Sequence, residues 1–269
     1  GGGAGEARVE GGEPQGDLAA GDEGAELEGL RTFVQGDDPR LIDWKVSARR
    51  GRVVVREMRP ERNQRLVLMI DLGRALHPAL GVGTKLDRVV EAAHELAVLA
   101  IEGGDEVGLV AFGAGVRARL PLARGAAHAR TILDTLLELR SEPVEPLYPE
   151  AFAALAGLVT RRALVVLFTD VTDPGSSRTI VSGLAGLRPR HLPMCVTVAD
   201  SALRAVANAP SADVDQVLRK VAARELLADQ RRALGMLEAR GVLTVHVPAD
   251  RLAAATLERY LHIKHRAML

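Results

Sequence analysis

From residue 66 onwards, short apolar runs alternate with longer segments in which apolar residues recur every three or four positions. This alternation restricts the fold more than any other feature. The runs at 66–71 (LVLMID), 106–112 (EVGLVAF) and 164–170 (LVVLFTD) are almost continuously apolar. Strands of this kind are typical of parallel sheets that are covered on both faces. The sequence therefore predicts an α/β domain, with a three-layer, mostly parallel sheet and helices on both faces.

The predicted elements follow one another closely along the chain. Residues 116–122 are expected to form an antiparallel hairpin with the strand at 106–112, across a Gly-Ala-Gly turn. Residues 84–87 (TKLD) have the pattern of a capping box, which predicts the start of a helix. Further strands are predicted at 191–199 and 243–247, and further helices near 126–140, 149–160, 176–188, 213–239 and 250–266.

The overall composition argues against several classes of protein. The chain has 269 residues and a net charge of zero, which does not suit a dedicated nucleic-acid binder. Its single cysteine, Cys195, lies in an apolar run, so we expect a buried, unreactive thiol and a reducing compartment. No apolar run approaches the roughly 20 residues that span a bilayer. We therefore expect a cytoplasmic location, with a tether to the inner membrane if helices precede Gly1.

Two blocks of opposite charge precede the first predicted strand. Residues 1–28 hold eight acids, one base and many glycines, which predicts a flexible acidic arm. Residues 29–65 hold ten Arg or Lys against five Asp or Glu. The arm could fold back onto this basic block, or it could be a solvated linker. We divide the chain into the arm (1–28), a signature segment (29–65) and a main domain (66–269).

The signature segment reads GLRxFxxGDDPRxIDWKxSARxGxxxVRE over residues 29–57. This motif resembles that of the domain-of-unknown-function family numbered 58. The resemblance implies a fold like that of von Willebrand factor type A domains, with the signature segment as an N-terminal extension. It also implies a partner, because members of this family are often encoded beside MoxR-type AAA+ ATPases. The matching residues are Gly36, Asp37, Asp38, Pro39, Arg40, Ile42, Asp43, Trp44, Ser47, Ala48, Arg49, Val55, Arg56 and Glu57.

Three interpretations of the signature segment remain open. In the first, Arg–carboxylate pairs hold the segment against the main domain. In the second, the segment is a docking surface for a protein partner; in the third, its acids bind a catalytic metal beside an arginine. Residues 36–39 are expected to form a turn and residues 40–48 a helix. Trp44 is expected to anchor the segment against the sheet, with stacking on a ligand as the alternative. The residues concerned are Arg31, Asp37, Asp38, Arg40, Asp43, Trp44, Ser47 and Arg49.

A candidate metal site lies where two buried strands end in carboxylates, at Asp71 and Asp170. The type A resemblance implies a magnesium site there, built from Asp-x-Ser-x-Ser, a threonine from a later loop and a second aspartate. This chain has Gly73 and Ala75 at the serine positions and no threonine in the loop 145–150; Thr172 and Asp173 remain nearby. We expect an incomplete site, with Asp71 accepting hydrogen bonds from loop amides or pairing with an arginine of the signature segment.

No complete catalytic set is present. Residues 81–85 (GVGTK) lack the spacing of a P-loop, and neither a nucleophile elbow nor a His-Glu-x-x-His motif occurs. We therefore predict a non-enzymatic protein-interaction module without a cofactor. It would act with a MoxR-like AAA+ ATPase in the assembly or maturation of protein complexes. The alternative is a divalent-metal-dependent domain, adhesive or hydrolytic, that uses Asp71 and Asp170 with Mg²⁺.

Overall fold

A computed structural model describes residues 25–34, 37, 39–60, 64–78, 83–171, 174–266 and 268. The strands are β1 (Ala25–Thr32), β2 (Val54–Pro60), β3 (Arg65–Asp71), β4 (Glu106–Gly113), β5 (Gly115–Ala123), β6 (Leu164–Phe168), β7 (Leu192–Ala199) and β8 (Leu243–Pro248). The α-helices are α1 (Trp44–Arg50), α2 (Lys85–Glu102), α3 (Ala126–Glu138), α4 (Tyr148–Ala156), α5 (Pro174–Leu187), α6 (Ser201–Asn208), α7 (Val214–Ala239) and α8 (Leu252–His265). None of the helices described is long and apolar enough to cross a bilayer.

The main domain is built on a six-stranded sheet of order β5-β4-β3-β6-β7-β8. All neighbouring strands run parallel except β4 and β5, which pair as an antiparallel hairpin. The predicted α/β fold, mostly parallel with one early hairpin, is confirmed. The chain winds outward from β3 to one edge and then returns to β6, so the order reverses between these two central strands.

The two faces of the sheet carry separate cores because successive strand residues point to opposite sides. Leu66, Leu68 and Ile70 of β3 pack on one side in a cluster that includes residues of α2, α3 and α8. Val67 and Met69 pack on the other side with residues of α4, α5 and α7. This is the predicted three-layer arrangement, and it explains why the central strands have no polar face.

Local signals set the main element boundaries. The predicted capping box is confirmed: Thr84 accepts from the backbone N–H of Asp87, and Asp87 accepts from that of Thr84. Cys195 is fully buried in β7, as expected, and burial raises the pKa of its thiol to about 12. Helix α6 was not expected; it begins after Asp200, whose carboxylate caps it by accepting from the backbone N–H of Leu203 at 2.9 Å.

The signature segment forms a separate two-stranded antiparallel sheet, in which Arg31 of β1 lies opposite Val55 of β2. Strand β1 already begins at Ala25, before the expected boundary at residue 29; residues 1–24 of the predicted arm lie outside the described residues. The single helix predicted over 40–48 is wrong. The chain makes a 3-10 turn at Pro39–Leu41, and then Ile42 bridges to Val55, so the backbone is extended before α1 begins.

Candidate functional site

The reversal in strand order places the ends of β3 and β6 side by side, at the edge of the sheet where α/β proteins commonly bind ligands. Asp71 is the last residue of β3, and Asp170 follows β6 by two residues. Both residues are buried. Two carboxylates at such an edge need either hydrogen-bond donors or a cation, since burial strongly disfavours an unpaired charge.

Donors from the chain itself surround Asp71. One carboxylate oxygen, Oδ1, accepts from the backbone N–H of Gly73 at 2.7 Å. The other, Oδ2, accepts from the Tyr148 hydroxyl at 2.7 Å and from the Thr169 hydroxyl at 2.6 Å. The ring of Tyr148 packs edge-on against Phe112, with 5.4 Å between ring centroids, which fixes the direction of its hydroxyl. The expected bond from a loop amide is therefore present, while the side-chain partners are hydroxyls rather than an arginine.

A lysine occupies the equivalent place beside Asp170. The Lys85 ammonium nitrogen lies 2.8 Å from Oδ2 of Asp170 and 3.3 Å from Oδ2 of Asp200. The other oxygen of Asp170 accepts from the side-chain amide of Gln230 at 3.2 Å. Only 4% of the Lys85 side chain and 1% of the Asp170 side chain are exposed. This is a buried ion pair with a second carboxylate at its outer edge.

The electrostatic balance keeps Lys85 charged. Burial opposes the charge, but the carboxylates of Asp170 and Asp200 outweigh it and raise the pKa of the ammonium above its usual value. The single ammonium group of Lys85 therefore pairs with both carboxylates. Burial also raises the pKa of the Asp71 carboxyl, although its three hydrogen bonds work in the opposite direction.

A cleft of about 390 Å³ opens beside these groups. Lys85, Asp170 and Asp200 line it together with the apolar side chains of Leu203 and Leu226. The cleft thus combines charged groups that are already paired with a partly apolar wall.

The polar side chains at the outer rim of the cleft also bond to one another. Arg74 lies 3.0 Å from Glu145, and the Ser176 hydroxyl donates to the other oxygen of Glu145. Arg74 follows Asp71 by three positions, so its positive charge could oppose a cation beside the carboxylates. Its ion partner in the structure is instead Glu145, and the cation that contacts Asp170 is Lys85.

The residues at this edge do not fit a divalent ion. Octahedral Mg²⁺ requires several oxygen atoms with free lone pairs directed at one point. Here both oxygens of Asp71 and both oxygens of Asp170 already accept hydrogen bonds, and an ammonium group lies within 2.8 Å of Asp170. In the part of the chain that the structure describes, no group of three or more His, Cys, Asp or Glu is placed to hold a metal. Thr172 and Asp173 lie outside the described residues.

The loop at Gly73 gives a steric reason why a serine is not tolerated there. A Cβ atom added at Gly73 would lie 2.3 Å from Cγ of Pro146 and 3.0 Å from Oδ1 of Asp71. A proline ring cannot move aside as a flexible side chain can. Pro146 of the neighbouring loop therefore occupies the space that a serine side chain at position 73 would need.

Restoring that serine is expected to damage the fold without creating a metal site. We expect Gly73→Ser to lower the free energy of unfolding by about 1–3 kcal/mol because of the contact with Pro146. Gly186→Ser is the control, since an added Cβ at this exposed helical glycine meets nothing within 4 Å. Urea denaturation with and without Mg²⁺ measures both effects. Equal stability of the two variants, or stabilisation of Gly73→Ser by Mg²⁺, would contradict the expectation.

In the signature segment, an ion pair joins Arg31 to Asp37 through two bonds of 2.7 Å. Asp37 also accepts from the backbone N–H of Val34 at 2.8 Å. The hydrogen bond from the Arg31 guanidinium is the main reason why the pKa of Asp37 falls to about 2. Asp38 and the side chain of Arg40 lie outside the described residues, so the other expected pairings of these two groups stay predictions.

Asp43 and Ser47 fix α1 against β2. Asp43 caps α1 by accepting from the backbone N–H of Val46 at 3.0 Å. The Ser47 hydroxyl is buried, accepts from the backbone N–H of Val54 at 2.9 Å and donates to its carbonyl at 3.3 Å. The helix ends at Gly51, which adopts the left-handed conformation (φ 65°) that suits glycine.

The prediction that Trp44 anchors the segment against the sheet is wrong. Its residue surface is 68% exposed. Trp44 is the first residue of a seven-residue helix that packs on a two-stranded sheet, and so small a unit offers little surface to cover an indole. Arg49 is also exposed. The conspicuous aromatic residue of the motif therefore faces solvent.

Sequence reasoning missed most of the side chains that complete the site. They are Lys85, Tyr148, Thr169, Asp200 and Gln230. One signal was available for Lys85. The first turn of a helix carries the positive end of the helix dipole, so a lysine directly after the cap is unfavourable unless acids lie nearby. The motif at 84–87 was interpreted only as a capping box.

These features define a von Willebrand factor A-like domain with an N-terminal signature segment. The chain belongs to the family described as "Protein of unknown function DUF58", which matches residues 29–223. The predicted family resemblance is confirmed.

Two mycobacterial proteins are among the relatives. The chain is 28% identical over 179 residues to the uncharacterized protein Rv1480 of Mycobacterium tuberculosis and to the uncharacterized protein Mb1516 of Mycobacterium bovis. The matched region covers 66% of this chain and 56% of each relative. The chain thus spans about half the length of the curated relatives it matches.

Solved structures share the fold at low sequence identity. A point mutant of the PilB minor pilin from Streptococcus sanguinis matches with a TM-score of 0.50 and 11% identity, covering 80% of this chain and 64% of that chain. The conserved hypothetical protein BatB from Bacteroides thetaiotaomicron matches with a TM-score of 0.50 and 10% identity, covering 76% and 100%. At these identities the likeness extends to the fold alone.

Proposed function

We propose that this chain is a non-enzymatic protein-interaction module that acts with a MoxR-type AAA+ ATPase in the assembly or maturation of protein complexes. The observation that carries the proposal is the exposed indole of Trp44 on a segment held in place by its own hydrogen bonds. Exposed tryptophan side chains are costly to leave in water and are common anchors of protein interfaces.

The signature segment exposes residues of the types that are common in interfaces. Val34, Leu41 and Val53 of the same segment are also exposed. Basic residues of the segment add positive charge: Lys45, Arg49, Arg50 and Arg52 are exposed. Apolar anchors with arginines at their margin are enriched in protein interfaces. We therefore propose that the docking site on the ATPase is an apolar pocket bordered by carboxylates.

Among the described residues, the carboxylates and the lysine at the sheet edge are all paired, which supports a non-enzymatic role. A general base or nucleophile needs a lone pair that can reach a substrate. The carboxylate oxygens of Asp71 and Asp170 accept bonds from the chain, and Lys85 is held in its charged form. The Cys195 thiol is buried with a raised pKa, so it is a poor source of thiolate.

The choice of an ATPase partner rests on the family resemblance. The family resemblance implies such a partner, because members of this family are often encoded beside MoxR-type AAA+ ATPases, and this chain carries the family motif at 29–57. Because such a partner consumes ATP, we propose that the pair acts in the cytoplasm.

Truncating the exposed indole tests the docking surface. We expect Trp44→Ala to weaken association with a MoxR-type ATPase of the same genome at least tenfold, because anchor residues of this type commonly contribute about 2 kcal/mol or more. Stability should change by less than about 0.5 kcal/mol, since the side chain is exposed. Biolayer interferometry with and without ATP, together with urea denaturation, measures the two quantities.

Leu137→Ala serves as the matched control, because Leu137 is an exposed apolar residue of α3 in the main domain. It should leave both association and stability unchanged. Failure of the unmodified chain to bind the ATPase at micromolar concentration, in either nucleotide state, would contradict the proposal. Saturable binding of Mg²⁺ that is lost in Asp170→Ala would favour the alternative, a metal-dependent module.

A further inference from the structure

The resemblance to type A domains implies a divalent cation between the strand ends, and the side chains here do not fit one. The ammonium nitrogen of Lys85 instead lies against the carboxylates at that edge. We propose that Lys85 is a tethered cation that replaces a metal ion at the sheet edge, and that shortening its side chain converts the edge into a site for a soluble cation. This inference is independent of the proposed partner.

Two acidic residues that follow different strands contact the Lys85 ammonium group, which supports its role in place of a metal ion. Asp170 follows β6 and Asp200 follows β7, and an oxygen of each lies within 3.3 Å of the Lys85 nitrogen. Gln230 of α7 holds the remaining oxygen of Asp170. The surrounding protein therefore presents two negative charges to a point where a single positive charge is located. Two acids would remain there if that charge were removed.

The position of Lys85 in its helix points the same way. Lys85 is the first residue of α2, where the helix dipole disfavours a positive charge. The capping box of Thr84 and Asp87 fixes this helix end, so the side chain departs from a rigid base. The carboxylates of Asp170 and Asp200 offset the unfavourable interaction between the Lys85 charge and the helix dipole. The first position of a helix does not favour a lysine. The ion pairs with Asp170 and Asp200 explain why a lysine is nevertheless found there.

A second lysine, which is half-buried, provides a matched comparison. Lys264 of α8 lies 2.8 Å from Asp105, and the Tyr260 hydroxyl also donates to that carboxylate. It resembles Lys85 in having a buried carboxylate partner, but 11% of the Lys264 side chain is exposed against 4% for Lys85. It differs in contacting one acid rather than two, and it lies at the α2–α8 junction, away from the carboxyl ends of β6 and β7. Truncation of Lys264 should therefore destabilise the protein without leaving two acids around one vacant position.

The test is cation binding by Lys85→Ala, with Lys264→Ala as the control. Mn²⁺ is titrated into each protein and the free ion is followed by electron paramagnetic resonance. Methylammonium is tested in parallel as a replacement for the lost ammonium group, with the melting temperature as the readout. We expect Lys85→Ala to bind one Mn²⁺ saturably in the millimolar range or tighter, and to gain melting temperature with Mn²⁺ or methylammonium. Neither the unmodified chain nor Lys264→Ala should do so.

Two results would overturn the proposal. One is saturable Mn²⁺ binding by the unmodified chain that is lost in Asp170→Asn, because Lys85 would then not hold the cation position. The other is a folded Lys85→Ala protein that responds to neither Mn²⁺ nor methylammonium. If Lys85→Ala does not fold alone, refolding is repeated with each cation present. Recovery of the native circular dichroism spectrum supports the proposal, and failure with both cations overturns it.

Discussion

Replacing Lys85 with methionine is expected to lower the free energy of unfolding by about 3–5 kcal/mol, the usual effect of removing one partner from a buried ion pair. The methionine side chain fills nearly the same space, so the loss reflects charge rather than a cavity. Asp170 would keep its carboxylate in a position where only 1% of its side chain is exposed, with Gln230 as its remaining side-chain partner. Urea denaturation at neutral pH measures the change.

A double variant separates charge from packing. Adding Asp170→Asn to Lys85→Met removes the unpaired buried charge, so we expect it to restore part of the lost stability. The coupling between the two substitutions should be at least about 1 kcal/mol. Additive effects would show that the two side chains do not interact as the structure places them.

The stability contributed by the ion pair of Lys85 and Asp170 should depend on pH in the alkaline range. The folded-state pKa of Lys85 is raised above the ordinary value of 10.5, so its stabilising contribution is complete below pH 10.5 and is lost as the pH rises through the higher folded value. Burial also raises the pKa values of the two tyrosines, Tyr148 and Tyr260, and their effect on stability is common to both proteins. The difference in stability between the unmodified chain and Lys85→Met should therefore shrink above pH 10.5.

Replacing Asp71 with alanine is expected to cost about 3 kcal/mol or more. The substitution leaves the Tyr148 and Thr169 hydroxyls and the backbone N–H of Gly73 without their shared acceptor. An unsatisfied buried donor costs about 1–3 kcal/mol, and the two hydroxyls can partly compensate by bonding to one another, since their oxygens lie 2.9 Å apart. Urea denaturation of the variant measures the loss.

Asp71→Asn is the control because its amide oxygen can still accept from Gly73, and hydroxyl groups can accept from its amide nitrogen. We expect a clearly smaller loss than for alanine. Burial raises the folded-state pKa of Asp71, so between the unfolded value of 3.8 and the raised value the native state holds a proton that the unfolded chain releases. The contribution of Asp71 to stability therefore falls as the pH rises through this window, and Asp71→Asn should remove that dependence. An alanine variant as stable as the asparagine variant would contradict the hydrogen-bond network.

The fold of the main domain was predictable because its signals are local. The unbroken apolar run of β3 predicts a strand that is buried on both faces, and the capping box at Thr84 marks the start of α2 within a residue. The signature segment was less predictable. Ile42 joins β2 through a bridge to Val55, a contact across 13 positions that overrides the helical pattern of residues 40–48. Trp44 was misplaced because hydrophobicity alone does not indicate whether enough surface is available to cover a side chain.

The candidate site was half visible in the sequence. Asp71 and Asp170 could be found because each ends an apolar strand, and that position has a known meaning in α/β sheets. Their partners could not be found in the same way. Lys85 is 85 positions from Asp170, and Tyr148 is 77 positions from Asp71. Only the folded sheet brings these residues together. The absence of the serines was therefore evident from the sequence, whereas the side chains that bond to the two carboxylates in their place were not.

The state of the Lys85 side chain is the most direct test of the cation proposed here. Nitrogen-15 NMR of uniformly labelled protein can detect a lysine ammonium group whose protons exchange slowly because they are buried and hydrogen-bonded. We predict such a signal for Lys85, absent in Lys85→Met and unchanged by millimolar Mg²⁺. A Lys85 ammonium that exchanges as fast as surface lysines, or an Asp170 carboxyl resonance that shifts saturably with Mg²⁺, would contradict the assignment of Lys85 as the cation of this site.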